Sequence, residues 1–353
     1  MDAHIAKLWS IRGIGQKSYT KLVNALGSAN KVFQSSPETL KNYVNGKIVE
    51  EITNIQEPEL KHLQNYLEKR GIRAIDFTCA EYPVQFLDSE IYPPVLFLKG
   101  QNLKSYARFI GVVGSRRPTW YGIEVTKKLI KELTKNGFTI VSGGARGIDT
   151  VAHKTAIEEG GTTIAVLGSG FNHIYPFENK MLFSEIEKQG TLITEFPLDT
   201  KPLRDNFPKR NRIIAGLSEA IVVIEAGERS GALITARWGA ELGREVYAVP
   251  GPITSPLSTG TNRLISQGAR ILTEIADILE DLGIKEKDRF STSITPTSAT
   301  EKMVLETLSC EPLHFDKILE TTKLPPHELL SVLFELELKN LAKELPGKFY
   351  VKI

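Results

Sequence analysis

The sequence predicts an α/β protein built on a doubly wound parallel sheet, with a small helical domain before it and a small mixed domain after it. Six short apolar runs, at 109–113, 138–141, 163–167, 191–194, 220–224 and 245–249, alternate with stretches of helical period. Continuous apolar strands joined by helical crossovers make a parallel sheet covered on both faces. The texture changes at either end of that region, to short helices before about residue 70 and to a polar Ser/Thr/Lys-rich stretch after 283. At 353 residues the chain has room for two or three domains.

Residues 1–70 read as short helices. Ile5, Leu8 and Trp9 share one helical face, Gly13-Ile14-Gly15 interrupts, and Tyr19, Leu22, Val23 and Leu26 resume the period. A tight glycine turn between two helices is an αα-hairpin. Backbone N–H groups at such a turn and helix start can hold a phosphate. This is the outline of a helix-hairpin-helix or SAM-like domain, either DNA-contacting or purely structural. Residues 71–283 are the Rossmann-like region, of about six strands, with its functional crevice expected at their C-terminal ends. In "IEVTKKLIKELTKNG" Gly137 is a C-cap candidate. The segment from Asp76 to Gly100 contains Pro83, Pro93 and Pro94 and is expected as an edge extension rather than a central strand. Residues 284–300 read as a linker. Residues 301–353 give helices at 301–309, 315–321 and 326–339, then a hairpin around Pro346-Gly347, the outline of a winged helix. That unit holds 7 Lys against 9 Asp plus Glu, a net of −2, and its third helix carries Glu328, Glu335 and Glu337 with only Lys339. A recognition helix in a major groove is basic, so a protein-interaction or regulatory module is expected instead.

Composition excludes several classes. A hydrophobic fraction of 41% with 24% charged residues is that of a globular protein with real cores. A net charge of +2 means that any nucleic-acid surface must come from local clustering. Cys79 and Cys310 lie far apart, which is neither a disulfide framework nor a thiolate metal site. The six histidines lack metal-ligand spacing. No metal or cofactor is expected, nor any membrane association, and the expected address is the cytoplasm.

Several predicted strands end in glycine or small polar residues: Gly114-Ser115-Arg116-Arg117-Pro118, Ser142-Gly143-Gly144-Ala145-Arg146-Gly147, and Gly168-Ser169-Gly170. Glycine lets backbone N–H groups approach an anion, and each following helix start points positive dipole at it. Neither GxxxxGK[ST] nor GxGxxG is spelled at these turns, so neither an ATPase loop nor a dinucleotide fingerprint is present. Lys201, Arg204, Lys209, Arg210 and Arg212 crowd into 201–212 against one acid, Asp205, with Phe207 among them. Phe171, Tyr175 and Phe177 follow the third strand. Cations tracking phosphates, interleaved with aromatics that stack bases, are the pattern of a single-strand platform; core packing and a solvated loop are the plainer alternatives. Arg212 is equally suited to pairing with Glu195 or Glu225, and Asp149 with His153 to structural roles at a helix start. Ser230-Gly231-Ala232 with Thr235 opens a helix after the fifth strand and offers a further anion contact.

The ordered set "GVVGSRRPTWYG", "IVSGGARGIDTVAHKTAIEEGG", "LITEFPLDTKPLRDNFPKRNRIIAGLS" and "VVIEAGERSGALITARWGAELGREVYAVPGPITSPLSTGTNRLISQGA" resembles the DNA-processing protein A (DprA, or Smf) family, over nearly the whole chain. The resemblance implies a protein without catalytic activity that binds single-stranded DNA regardless of sequence. It further implies protection of incoming DNA in natural transformation, help in loading the RecA recombinase, and a homodimer formed through the Rossmann-like domain. It places the family's DNA-contacting arginine at Arg116 and a second basic contact at Lys180, and it matches Phe207, Arg210, Asn211 and Arg212 to the Phe-Pro-x-Arg-Asn-Arg stretch. Phe177 departs from the polar or basic residue expected there. Together, the candidate DNA-binding residues are Gly114, Ser115, Arg116, Arg117, Gly143, Gly144, Arg146, Lys180, Phe207, Lys209, Arg210 and Asn211. Two other readings stand beside this one. A phosphoribohydrolase of the lysine-decarboxylase-like type would use a PGGxGTxxE motif, from which "EAGERSGALIT" departs, leaving Glu195 and Glu225 as its carboxylates. A pure scaffold would load recombinase with DNA contact incidental.

Overall fold

The computed structural model describes residues 2–86, 92–283, 298–309, 311–339 and 341–352. Most of the expected linker, 284–297, lies outside the described residues. The chain divides into two compact units, Met1–Ile278 and Leu279–Ile353.

The first unit opens with six helices: α1 (Asp2–Ser10), α2 (Gln16–Leu26), α3 (Ala29–Phe33), α4 (Pro37–Lys41), α5 (Gly46–Asn54) and α6 (Glu57–Lys69). Gly13 turns the chain between α1 and α2 at φ +93°, in the left-handed region that side chains resist. The side chains of Ser28, Ser36 and Asn45 cap α3, α4 and α5 by accepting a first-turn N–H, each cap contributing about 1 kcal/mol. Ile5, Leu8, Tyr19, Leu22 and Val23 are buried, as their spacing predicts. The core they enter also contains Ala74, Phe97, Leu167 and Phe183 from the region that follows. The helices therefore share a core with the sheet. Tyr19 Oη donates to the buried Asp76 Oδ2 at 2.9 Å within that shared core.

The sheet has nine strands: β1 (Ile72–Asp76), β2 (Val95–Gly100), β3 (Arg108–Val113), β4 (Phe138–Ser142), β5 (Thr163–Val166), β6 (Thr191–Thr194), β7 (Ala220–Val223), β8 (Glu245–Ala248) and β9 (Arg270–Ile271), in the order β1-β2-β6-β5-β4-β3-β7-β8-β9. The six predicted runs are β3 to β8. The extension is an antiparallel pair, and β2 is not an edge strand: it lies between β1 and β6, antiparallel to both. Pro93 and Pro94 precede β2, so every N–H of Val95–Gly100 remains for pairing. β9 left no apolar signal because it is two residues long and exposed.

Helices α7 (Trp120–Lys135), α8 (Ile148–Glu158), α9 (Lys180–Gln189), α10 (Asn206–Leu217), α11 (Ala232–Glu241) and α12 (Thr259–Ser266) follow in the unit, and α13 (Ile275–Asp281) begins in it and crosses its boundary at Ile278. The C-cap of α7 is Asn136 rather than Gly137, which follows it at φ +78°. From β3 the chain steps outward through β4, β5 and β6. α10 then carries it back across to β7, on the other side of β3, and on to β8 and β9. The winding reverses between β3 and β7, and an open sheet leaves a crevice at the carboxyl ends of such a pair.

The second unit consists of α14 (Ala299–Thr307), β10 (Leu313–His314), α15 (Phe315–Thr322), α16 (Pro326–Leu338), β11 (Ala342–Leu345) and β12 (Phe349–Lys352), its strands ordered β10-β12-β11. Val304, Ile318, Leu329, Leu333, Leu336 and Tyr350 form its core. The outer face of α16 exposes Leu330, Phe334 and Leu338 together with Glu328, Glu335 and Glu337. The cation at the end of that helix, Lys339, is spent on the buried Glu301, with Nζ 2.7 Å from Oε2.

Candidate nucleic-acid interface

The reversal between β3 and β7 opens a cleft of about 910 Å³. One wall is the turn after β3, Gly114–Arg116; another is the turn after β7, Gly227 and Arg229–Ala232. Pro202, Arg204 and the start of α10 close a third side, and Tyr175 lies at its edge. Phe207 is half-buried on the first turn of α10. The Arg116 guanidinium carbon lies 5.9 Å from its ring centroid, and the Tyr175 ring meets it at 5.8 Å and 59°. Arg116, Arg204 and Arg229 are exposed on the cleft, and none has a carboxylate partner among the described residues. Three free cations around an aromatic pair suit a polyanion whose bases can stack.

The Gly114 turn is held from below. Ser115 O accepts the Ile148 N–H at 3.1 Å, and Ser115 Oγ accepts the Arg117 N–H at 3.1 Å. A Cβ on Gly114 would meet Ile148 Cγ1 at 2.7 Å, so close packing with α8 requires glycine there. Arg117 is exposed but is not part of the cleft lining.

Three sequence expectations are corrected by this geometry. Gly143 does not offer its N–H to the cleft: the group donates to Asp149 Oδ2 at 3.1 Å. Gly144 is buried and its carbonyl accepts Asn179 Nδ2 at 3.0 Å. Both glycines make room, since a Cβ would strike Arg210 Nη2 at 2.6 Å from position 143 and Phe183 Cε1 at 2.5 Å from position 144. Arg210 is no surface charge; it is only 4% exposed. Its Nη1 donates to Gly143 O at 2.6 Å and to Val166 O, and its Nε to Asn211 Oδ1 at 3.0 Å. Burial pushes this guanidinium down to about 10 despite the support of Asp149. Burial likewise raises the Asp149 carboxyl, against Arg210 and the N–H groups of Ala145 and Gly143. Arg210 thus ties the ends of β4 and β5 together beneath Phe207. Asn211, also buried, donates Nδ2 to Gly231 O at 3.2 Å and so joins α10 to the β7 turn.

Arg146, Lys180 and Lys209 are exposed outside the cleft lining. Arg146 pairs with Glu178, and Lys180 Nζ lies 5.7 Å from the Phe177 ring centroid. The carboxylates of the hydrolytic reading lie outside the cleft lining: Glu195 pairs with Arg212 through Oε2, its Oε1 buried without a partner among the described residues, and Glu225 accepts the N–H and hydroxyl of Thr119. Among the described residues, Asp149 is the one carboxylate lining the cleft.

His153 is wholly buried. The Thr163 hydroxyl donates to Ile140 O at 2.8 Å, so it accepts from Nδ1 of His153 at 2.7 Å, which puts the ring proton on Nδ1. Burial, with Arg210 nearby, lowers the imidazole to about 3. The unfolded chain takes up a proton below about 6.5 that the folded chain refuses until about 3, so this contribution to stability is lost as pH falls through that window. Between pH 7 and 5 the loss is expected to be about 2 kcal/mol. Comparing urea midpoints of wild type and His153→Leu at both pH values checks it, since Glu195 and Asp149 contribute equally to each. An identical pH dependence in the two proteins rejects the assignment.

Residues 73–283 match the family model for DNA recombination-mediator protein A, and residues 289–348 match the DprA winged helix domain. The chain belongs to the DNA recombination-mediator protein A family. Among DprA relatives, it is 40% identical to Protein Smf of Escherichia coli (strain K12) over 293 residues, covering 80% of this chain and 78% of that one. It is 45% identical to DNA processing protein DprA of Bacillus subtilis (strain 168) over 228 residues, covering 64% and 76%. The X-ray structure of DprA from Streptococcus pneumoniae superposes with a TM-score of 0.70 at 33% identity, over 81% of this chain and 99% of that one. A structure of DprA from Helicobacter pylori, described for its single-stranded DNA binding mode, gives 0.53 at 29% identity, over 60% and 95%.

All the cleft residues fall within the matched DprA segment. Sequence reasoning missed Arg229 as a cleft cation and left Arg204 and Tyr175 unselected. A signal existed for Arg229. It follows the end of β7 as Arg116 follows the end of β3, and those two strands are neighbours at the reversal.

Proposed function

We propose that the chain is a single-stranded DNA-binding protein, holding the strand in the cleft between the β3 and β7 turns without regard to sequence. The observation that carries this is Arg116 over Phe207 at a cleft whose exposed cations have no carboxylate partner among the described residues. Arg116, Arg204 and Arg229 neutralise phosphates, and Phe207 with Tyr175 supplies a stacking face. No base edge is read, because stacking accepts any base. Binding, rather than catalysis, is the role: the one carboxylate of the cleft is buried and already accepts two backbone N–H groups. In keeping with its family, the protein is proposed to work in the cytoplasm as a homodimer, protecting incoming DNA during natural transformation and helping to load RecA. Among the described residues no helix is long and apolar enough to cross a membrane. The winged-helix unit, with acids and apolar side chains on α16, is assigned to protein contact rather than to a major groove.

Anisotropy of labelled single-stranded and duplex oligonucleotides across a salt series tests this. The single strand is expected to bind more tightly. Three phosphates neutralised at about −0.7 each give a log–log salt slope of about −2. Equal, weak binding of both DNAs at low salt would overturn the proposal.

A further inference from the structure

Two segments bring a cation and an aromatic ring to the cleft from the side of β6. One is the strap 195–205 between β6 and α10, which carries Pro202 and Arg204; the other is the loop 167–176 after β5, which carries Tyr175. They are laced together: Gly170 N–H donates to Thr200 O at 2.9 Å, and Asn172 N–H to Leu198 O at 3.0 Å. Asn172 Nδ2 adds a bond to Asp199 Oδ1 at 2.7 Å. The other end of the same amide faces α6. Asn172 Oδ1 accepts from Tyr66 Oη at 2.6 Å and from Arg70 Nη1 at 3.2 Å, with the Arg70 guanidinium carbon 4.8 Å from the Tyr66 ring centroid. From α1, Trp9 Nε1 donates to Glu195 O at 2.6 Å, where the strap leaves β6. Every one of these N-terminal residues lies outside the cleft lining.

On the reading of the cleft as a single-strand site, we propose that the N-terminal helices act on it at a distance. They hold the strap and the loop so that Arg204 and Tyr175 face the strand, and Asn172 is the positioning residue that joins them. Its amide spends the acceptor on α6 and the donor on the strap, so neither hydrogen bond can be lost without loosening the other segment. The helices hold the interface and need not touch DNA.

A double-mutant cycle separates positioning from general stability. Asn172→Ala is expected to weaken binding of an oligothymidine three- to tenfold and to flatten its salt slope toward that of Arg204→Ala. The same change is expected to cost nothing further in an Arg204→Ala, Tyr175→Ala background, yet its full effect in an Arg229→Ala background. Tyr66→Phe, which keeps the ring over Arg70 and removes only the hydroxyl, shows the same pattern more weakly. Equal losses in both backgrounds, or unchanged affinity, would overturn the proposal. Hydrogen exchange without DNA is the second readout: protection at residues 170 and 172 falls in Asn172→Ala while the strands keep theirs. If wild type bound no single strand, the cleft reading would fail. Exchange at 170 and 172 would still decide the joint, with retained protection rejecting it.

Discussion

Arg210→Ala is expected to lower the unfolding free energy by about 3–5 kcal/mol, the sum for two buried hydrogen bonds from a charged group to carbonyls at about 1.5–3 kcal/mol each. Against a total of about 5–15 kcal/mol for a folded domain, that is a large share. The variant strips Gly143 O and Val166 O of a donor and leaves Asp149 buried without its cation. Burial then pushes the Asp149 carboxyl up with no Arg210 to oppose it, which favours the protonated form of the folded variant more than in wild type. Taking up that proton grows easier as pH falls, so the destabilisation is expected to be smaller at pH 5 than at pH 8. Urea unfolding at both pH values measures this, and Asp149→Asn in the Arg210→Ala background should recover part of the loss. An Arg210→Ala protein within 1 kcal/mol of wild type that had lost DNA binding would put this arginine on the strand after all; the threshold is about the size of one ordinary hydrogen bond.

Phe207→Ala and Arg116→Ala are expected to fail in different ways, though the two side chains lie against each other. Loss of a stacking face costs about 1–3 kcal/mol per base, which is roughly 5- to 150-fold in affinity. Phosphate count is untouched, so the Phe207→Ala salt slope should equal that of wild type. Arg116→Ala removes one phosphate contact, and its slope should be shallower by about 0.7. Anisotropy titrations at several salt concentrations give both numbers, with circular dichroism melts to confirm that each variant is folded. A Phe207→Ala protein that binds like wild type would show that the ring only packs against Tyr175 and the two arginines.

The parallel strands were legible because strands buried on both faces need unbroken apolar runs, and Ala220–Val223 or Thr163–Val166 has no other use. β9 is two residues long and exposed, and β1 is broken by Arg73 and ends on Asp76, so neither leaves that trace. Arg210 shows where reading the site failed. In the linear stretch "KPLRDNFPKRNR" its charge counts like any other. Wound into α10, residues 207, 210, 211 and 214 fall on one face by their spacing, and that face meets the strand ends. Treating the stretch as the start of a helix, rather than as a basic run, would have separated the inward Arg210 from the outward Lys209. The glycines misled for a related reason. Gly-Gly after a strand signals close approach, but the sequence does not say whether an anion or a neighbouring side chain comes close. At 143 and 144 it is Arg210 and Phe183.

Gly168 lies just past β5 against the Phe207 ring, and a Cβ there would lie 2.8 Å from ring carbon Cδ1. No real pair of carbons sits that near, so any other residue at 168 must lift or tilt the ring. The position of the ring in the groove is therefore set by an atom that is missing beside it. A rim cation can change with no steric penalty, whereas the position beside the ring admits a single residue type. Drift in this interface is thus confined to its edges, and an alanine at 168 would alter base stacking without changing one charge.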